Sequence, residues 1–165
     1  MYETNFTKFW TGTVSSVRKR PVADRAKMSQ IAASLPLGLD GDTVQVLADG
    51  KMQKVRLNGI DAPESGQPFG QRSKQNLLKL AAQKQTEVIA SSTDRYGRWL
   101  GTLIIDGINI NAEQVKTGMA WAYRYRGHAT DINMLRLETA AKENKVGLWS
   151  TPNPVEPWKW REKQR

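Results

Sequence analysis

The chain has 165 residues, of which 39% are hydrophobic, no cysteine, and a formal net charge of +9 at pH 7. This composition excludes a disordered polyelectrolyte, a disulfide framework and a thiolate metal site, so the core of one domain over residues 1–165 is expected to hold the fold. The surplus of Lys and Arg predicts a polyanionic partner, nucleic acid before a membrane, and no apolar run is long enough to span a bilayer.

Five short segments are predicted to form strands, because they are rich in β-branched residues with partial alternation. They cover residues 12–17, 42–48, 54–60, 86–92 and 101–110. Three helices are predicted among them, at about residues 69–84, 111–117 and 130–146, the last two ended by a glycine. These elements predict an α+β, mainly β fold, built as a five-stranded OB-type barrel with about three helices.

Two segments lie outside these predicted elements. Residues 18–38 form an insertion with a basic start, which favours contact with nucleic-acid phosphates. Met28, Ile31 and Leu35 instead favour a short helix around residues 23–34 that packs on the barrel. Both alternatives stay open. The second segment is a basic tail rich in Pro and Trp at residues 151–165, which is expected to wrap around the domain or fray.

Carboxylates are placed at the ends of two predicted strands. Asp42 begins one strand and Asp61 ends another, so both side chains could meet at one rim of the barrel. Paired carboxylates are hard oxygen ligands that suit Ca²⁺ or Mg²⁺. Pro63 makes the following turn stiff, and this can hold Glu64 one water away from a metal, where a general base would act. The alternatives are ordinary turn chemistry for the aspartates and a solvated surface acid for Glu64.

Arginines accompany these acids in the sequence. Arg56 precedes Asp61, and a glycine-containing turn carries Arg95, Tyr96 and Arg98. Guanidinium groups match phosphate oxygens with two parallel hydrogen bonds and stabilise the charge that grows during phosphoryl transfer. For a single arginine, a solvated surface position or a structural ion pair is the alternative. The acids and arginines together favour phosphate chemistry.

These segments match a known family. "DGDT" (40–43), "RLNGIDAPE" (56–64) and "DRYGR" (94–98), in this order and at these intervals, resemble the staphylococcal nuclease family. "GMAWAYRY" (118–125), "NKVGLWS" (144–150) and "PWKWR" (157–161) are further matches, the last typical of bacterial and plasmid-borne members. The resemblance covers about residues 39–161 and the strand at 12–17.

The resemblance implies a calcium-dependent phosphodiesterase that cleaves DNA and RNA through an OB-type barrel. By motif position, the implied metal ligands are Asp42, Asp61 and the backbone carbonyl of Ala62. The implied catalytic residues are Glu64 as general base, with Arg56 and Arg98 binding and activating the phosphate. The best-known member of the family has threonine where this chain has Ala62, and a carbonyl ligand tolerates this change.

The resemblance also implies a nucleotide-binding pocket lined by Arg95, Tyr96, Tyr123 and Tyr125. Aromatic faces stack on unpaired bases of any identity, so a preference for single-stranded or breathing substrate is expected. Core packing is the alternative for such aromatics, and we prefer it for Trp121, Leu148 and Trp149. His128, the only histidine, is expected at the surface.

A second function class remains open beside the nuclease. A catalytically silent OB-type module would bind nucleic acid without cleaving it, but such modules typically lack the acidic and arginine residues present here. A third hypothesis, docking on an anionic membrane, lacks a strongly amphipathic basic helix outside the insertion. We expect a monomer with a secreted or periplasmic location, its leader being absent from this chain.

Overall fold

A computed structural model of the chain describes residues 40–165 and, nearer the N-terminus, the backbone of three short strands. The chain divides into two compact units. The sheet unit comprises Met1–Pro36, Thr43–Asn58 and Leu80–Ile110. The helical unit comprises Leu37–Asp42, Gly59–Lys79 and Asn111–Arg165.

The strands, in chain order, are β1 (Glu3–Thr4), β2 (Ser15–Ser16), β3 (Arg25–Ile31), β4 (Thr43–Ala48), β5 (Lys51–Leu57), β6 (Ile60–Asp61), β7 (Gln85–Thr93), β8 (Trp99–Ile105), β9 (Ile108–Asn109), β10 (Trp121–Ala122), β11 (Arg124–Tyr125) and β12 (His128–Ala129). The helices are α1 (Gly70–Ala81), α2 (Ile110–Lys116), α3 (Ile132–Glu143) and α4 (Pro157–Lys163), and Gly147–Ser150 is a 3₁₀ turn.

The sheet unit is built on one mixed sheet. Its described strands follow the order β5-β4-β3-β7-β8-β9, and neighbours in this order are antiparallel. β8 also pairs in parallel with β5, where Val55 lies opposite Trp99, so five of these strands pair in a cycle. Alternate side chains such as Val44 and Val46 are buried, as a half-buried pleated strand requires. The predicted α+β, mainly β class with an OB-like sheet is confirmed.

The segment preceding this sheet differs from its prediction. Residues 25–31 form strand β3 between β4 and β7, with Gln30 opposite Leu47, so the helix predicted around residues 23–34 is wrong. A short helical spacing of apolar residues is a weak signal, and the ladder hydrogen bonds to two strands outweigh it. The predicted strand at 12–17 is described only at β2, which pairs with β1. The side chains of residues 18–38 lie outside the described residues, so their phosphate contacts stay a prediction.

The helical unit contains α2, α3, α4 and most of α1. Asp131 caps the start of α3, because its carboxylate accepts hydrogen bonds from the backbone N–H groups of Asn133 and Met134. The three predicted helices are confirmed, with ends shifted by one to three residues. None of the helices within residues 40–165 has the length and apolar character needed to cross a bilayer.

A core of aromatic and aliphatic side chains supports this unit. Trp121 and Leu148 are buried, and the Trp121 ring packs edge-to-face on Trp149 with centroids 5.1 Å apart. These positions confirm the core assignment of the three residues. His128 is exposed, as predicted.

The C-terminal tail ends in a helix that the sequence analysis missed. α4 begins at Pro157, a position where the missing N–H of proline costs nothing. Pro157 is buried, and the Trp158 ring lies 6.5 Å from that of Trp121 and 5.5 Å from the Arg124 guanidinium. These contacts anchor α4 within the helical unit.

Candidate active site

Close packing shapes the turn that carries the first two aspartates. A Cβ at Gly41 would lie 1.8 Å from Ser73 Oγ, so only glycine fits here. The Gly41 carbonyl accepts a hydrogen bond of 2.7 Å from Gln114 Nε2. Asp40 and Asp42 therefore flank Gly41, whose backbone is held in place by Ser73 and Gln114.

Both aspartates bind the segment that follows β6. Asp42 Oδ2 accepts the backbone N–H of Ala62 at 2.7 Å, and Asp40 Oδ1 accepts that of Ser65 at 3.1 Å. These bonds span 20 and 25 residues of sequence, so both side chains do more than cap a local turn. Asp42 is therefore hydrogen-bonded to the residue that directly follows Asp61.

The second pair of acids lies on a well-defined turn. Asp61 ends β6, where it is opposite Trp121 of β10, and only 1% of it is exposed. The backbone N–H of Glu64 donates to Gln67 Oε1 at 3.1 Å, and the Glu64 carbonyl accepts from the Gln67 backbone at 2.9 Å. The Glu64 side chain keeps 31% exposure. Asp61 is thus buried while Glu64 can reach water.

Asp40, Asp42, Asp61 and Glu64 form what we call the acid cluster. Burial, together with the charges of Asp42 and Glu64 and a hydrogen bond with Glu64, raises the pKa of Asp40 to about 7, despite the opposing bond from Ser65. Carboxylates that repel one another in this way favour proton uptake. The raised pKa of Asp40 therefore reflects first its burial and then the negative charge of the neighbouring carboxylates.

A cationic side chain from α4 enters the acid cluster. Arg161 donates from Nη1 to Asp61 Oδ1 at 3.0 Å and from Nη2 to Asp61 Oδ2 at 2.8 Å. Nη1 also donates to Glu64 Oε1 at 2.8 Å. The hydrogen bonds that Arg161 donates to Asp61 and to Glu64 raise the pKa of Arg161 above its ordinary value, against the effect of burial. The sequence analysis missed Arg161, and the only signal was its place in the "PWKWR" match.

The donor chemistry of the acid cluster fits a hard divalent cation. Across the part of the chain that the structure describes, no group of three or more His, Cys, Asp or Glu side chains is arranged to hold a metal ion. Asp42 and Asp61 nevertheless supply carboxylate oxygens, the ligands of Ca²⁺ and Mg²⁺, and the Arg161 guanidinium adds positive charge beside Asp61. The Ala62 N–H binds Asp42, and its carbonyl stays a predicted ligand.

The sheet unit carries a second group of predicted site residues. Asp94 Oδ1 accepts the backbone N–H groups of Tyr96 and Arg98, and Asp94 Oδ2 accepts Arg98 Nε at 2.7 Å. Burial raises the pKa of Asp94, but the hydrogen bonds from Arg98 and Tyr96 outweigh it and lower this pKa. The sequence analysis missed Asp94, although an aspartate before a glycine-containing turn is a common signal for such bonds.

Arg56 belongs to the same unit. Its Nη1 donates to the Leu57 carbonyl at 2.6 Å, and in the parallel pairing of β5 with β8 it lies opposite Leu100. Arg98 directly precedes β8, so the two arginines are two positions apart in register. The sheet unit therefore carries Arg56 on β5 and Arg98 next to the start of the paired strand β8.

The predicted aromatic residues are accessible. Tyr96 is 67% exposed, and the guanidinium groups of Arg95 and Arg98 lie 4.8 and 5.6 Å from its ring centroid. Tyr123 and Tyr125, in the helical unit, are 37% and 58% exposed. These three rings are exposed, so the core-packing alternative does not hold for these tyrosines.

Comparison with known proteins identifies the family. A family model described as Staphylococcal nuclease homologue matches residues 54–151. The chain is 48% identical over 132 residues to Protein ParB of Escherichia coli, covering 74% of this chain and 75% of ParB. It is 48% identical over 132 residues to Micrococcal nuclease of Shigella flexneri, covering 74% and 76%. An uncharacterized endonuclease of Haemophilus influenzae is 44% identical over 127 residues, covering 76% and 70%.

The matched range contains Arg56, Asp61, Glu64 and Arg98, while Asp42 and Arg161 lie outside it. The mixed sheet and helices agree with the OB-like fold implied by the resemblance. On these matches, the chain belongs to the staphylococcal nuclease family.

Proposed function

We propose that this chain is a calcium-dependent nuclease that hydrolyses phosphodiester bonds of DNA and RNA with little sequence specificity. The acid cluster carries the proposal, since it gathers two predicted metal ligands and a predicted general base within one unit. The names of similar proteins, Micrococcal nuclease and uncharacterized endonuclease, support the same activity class. The net charge of +9 favours a polyanionic substrate.

Asp42 and Asp61, with the Ala62 carbonyl, would hold the cation. When bound, Ca²⁺ supplies positive charge that polarises a phosphoryl oxygen. Glu64 takes a proton from a water molecule as the water oxygen attacks phosphorus. The P–O bond to the leaving sugar oxygen breaks, and that oxygen takes up a proton from solvent. The 31% exposure of the Glu64 side chain supports this role, because a base must reach water.

Arg56 and Arg98 bind the phosphate in this proposal. Their guanidinium groups donate to the non-bridging oxygens and stabilise the charge that accumulates there in the transition state. Asp94 supports Arg98 by accepting its Nε–H, which leaves the terminal nitrogens to face a phosphate.

Arg95, Tyr96, Tyr123 and Tyr125 bind the nucleotide. Stacking on exposed tyrosine rings does not discriminate among bases, which accounts for low sequence specificity and for a preference for unpaired strands. We further propose that the enzyme acts as a monomer.

Cleavage of single-stranded DNA tests the proposal. The parental protein should shorten the strand in Ca²⁺ and leave it intact in excess chelator. Arg98→Ala should lower the rate by about 10²- to 10³-fold, as does the loss of other charge-stabilising donors. Arg136→Ala, an exposed arginine on α3, is the matched control and should cleave normally.

Two outcomes would contradict the proposal. Cleavage that continues in excess chelator would show that the reaction does not need a metal ion. A parental protein that binds single-stranded DNA but leaves it intact in Ca²⁺ would support the silent nucleic-acid-binding module instead.

A further inference from the structure

Arg161 makes a three-bond bridge between two acids of the acid cluster. Its two terminal nitrogens contact both oxygens of Asp61, at 3.0 and 2.8 Å, and Nη1 also contacts Glu64 at 2.8 Å. The fork geometry of a guanidinium fixes the plane of a carboxylate, which a lysine ammonium does not do. The bridge therefore sets the orientation of Asp61 and Glu64 relative to each other.

The body of α4 holds this arginine in place. Trp158 packs against Trp121 and Arg124, and Arg161 follows it by three residues, on the same face of the helix. Lys159 lies between them and pairs instead with Glu156 at 2.8 Å, as an exposed ion pair. α4 thus presents Arg161 to the acids and Lys159 to solvent.

The acid cluster requires a group that fixes the orientation of its carboxylates. Asp40, Asp42 and Glu64 lie close enough for their charges to interact, and Asp40 and Glu64 also share a side-chain hydrogen bond. A general base must keep a defined orientation towards its water. Some residues do not bind the metal themselves but hydrogen-bond to a metal ligand and orient it. Removing such a residue typically lowers metal affinity or activity by about 10- to 100-fold.

We propose that Arg161 is a positioning residue, whose guanidinium fork fixes the Asp61 and Glu64 carboxylates in the orientation used for catalysis. The role deepens the proposed nuclease function and rests on it. Arg161 lies on α4, beyond residues 54–151, which the family model matches.

Arg161→Lys distinguishes the effect of the guanidinium geometry from the effect of the positive charge. It keeps a cation near the acids but loses the planar pair of bonds, so kcat should fall by about 10- to 100-fold. KM for single-stranded DNA should stay close to the parental value, and the Ca²⁺ dissociation constant, measured by calorimetry, should rise and not fall, because Asp61 loses the partner that orients it. Lys159→Met, on the same helix, is the matched control and should leave kcat unchanged.

Chemical rescue provides a second readout. In Arg161→Ala, guanidinium chloride below the concentrations that weaken the fold should restore part of kcat, whereas sodium chloride at equal ionic strength should not. Glu64→Gln should show no rescue, because its defect does not lie in the missing fork.

Three results would overturn the positioning role. Parental kcat in Arg161→Lys would mean that charge alone matters. Tighter Ca²⁺ binding by Arg161→Ala, with parental kcat at saturating Ca²⁺, would make Arg161 a competitor of the metal. A lower melting temperature in Arg161→Ala without guanidinium rescue would mean that Arg161 only tethers α4. Absence of cleavage by the parental protein would instead refute the nuclease function itself and, with it, this role.

Discussion

Two groups of carboxylates and arginines in the helical unit differ in how their charge is balanced. Glu138 is 1% exposed, and its oxygens accept bonds from the Ala122 N–H at 3.0 Å, from both terminal nitrogens of Arg124 at 2.7 Å and from Lys142 at 3.1 Å. In the acid cluster, four carboxylates lie together, and Arg161 contacts two of them.

The pKa directions express this difference. Burial raises the pKa of Glu138, but the bonds and charges of Arg124 and Lys142 outweigh burial and lower it. In the acid cluster, burial and the neighbouring carboxylates raise the pKa of Asp40 to about 7. A carboxylate matched by cations stabilises the fold, whereas carboxylates gathered against their repulsion indicate a site that accepts an added cation.

The largest expected effect is on activity. Glu64→Gln keeps the shape of the side chain but removes the base, so kcat should fall by about 10²- to 10⁴-fold while the melting temperature changes little. Steady-state cleavage of single-stranded DNA measures this change. Glu143→Gln, an exposed acid at the end of α3, is the control. Equal rates in both variants would place the chemistry outside the acid cluster.

The Glu138 group should show the opposite pattern, with a loss of stability and intact metal binding. Glu138→Ala leaves the 18% exposed Arg124 side chain without its acid, so the free energy of unfolding should fall by about 3 kcal/mol, the lower end for a broken buried pair. Lys142→Met removes the 46% exposed partner and should cost less than about 1 kcal/mol. Urea unfolding measures both, and equal losses would contradict the distinction between the two cations.

The smallest expected effect appears in acid. Because the pKa of Glu138 is lowered below its ordinary value of 4.5 in the folded protein, its stabilising contribution is complete above 4.5 and is lost as pH falls through the folded value. The free energy of unfolding of Glu138→Gln should therefore fall less steeply than that of the parental protein on the acid side of 4.5. Parallel curves of unfolding free energy against pH for the two proteins would contradict the lowered pKa of Glu138.

Short-range patterns explain what the sequence could predict. Strand alternation predicted β4, β5, β7 and β8, and the placement of Asp42 and Asp61 at strand ends predicted that these acids approach each other. Each of these inferences depends on residues close in the chain or on a turn whose geometry local residues determine, such as the one at Pro63.

Long-range contacts explain what the sequence could not predict. Arg161 is 97 residues from Glu64 and 100 from Asp61 in the sequence, so no local pattern predicts the hydrogen bonds among these three residues. The strand at residues 25–31 exists through pairing with β7, which follows it by more than 50 residues. α4 was missed because proline breaks most helices, although it is well suited to the first turn.

Calcium titration calorimetry of the parental protein beside Asp61→Asn tests most directly whether the acid cluster is a metal site. The account predicts that the parental protein binds Ca²⁺, that Asp61→Asn loses this binding, and that Glu138→Gln retains it. Equal Ca²⁺ binding by the parental protein and Asp61→Asn, or no binding by the parental protein, would contradict the account.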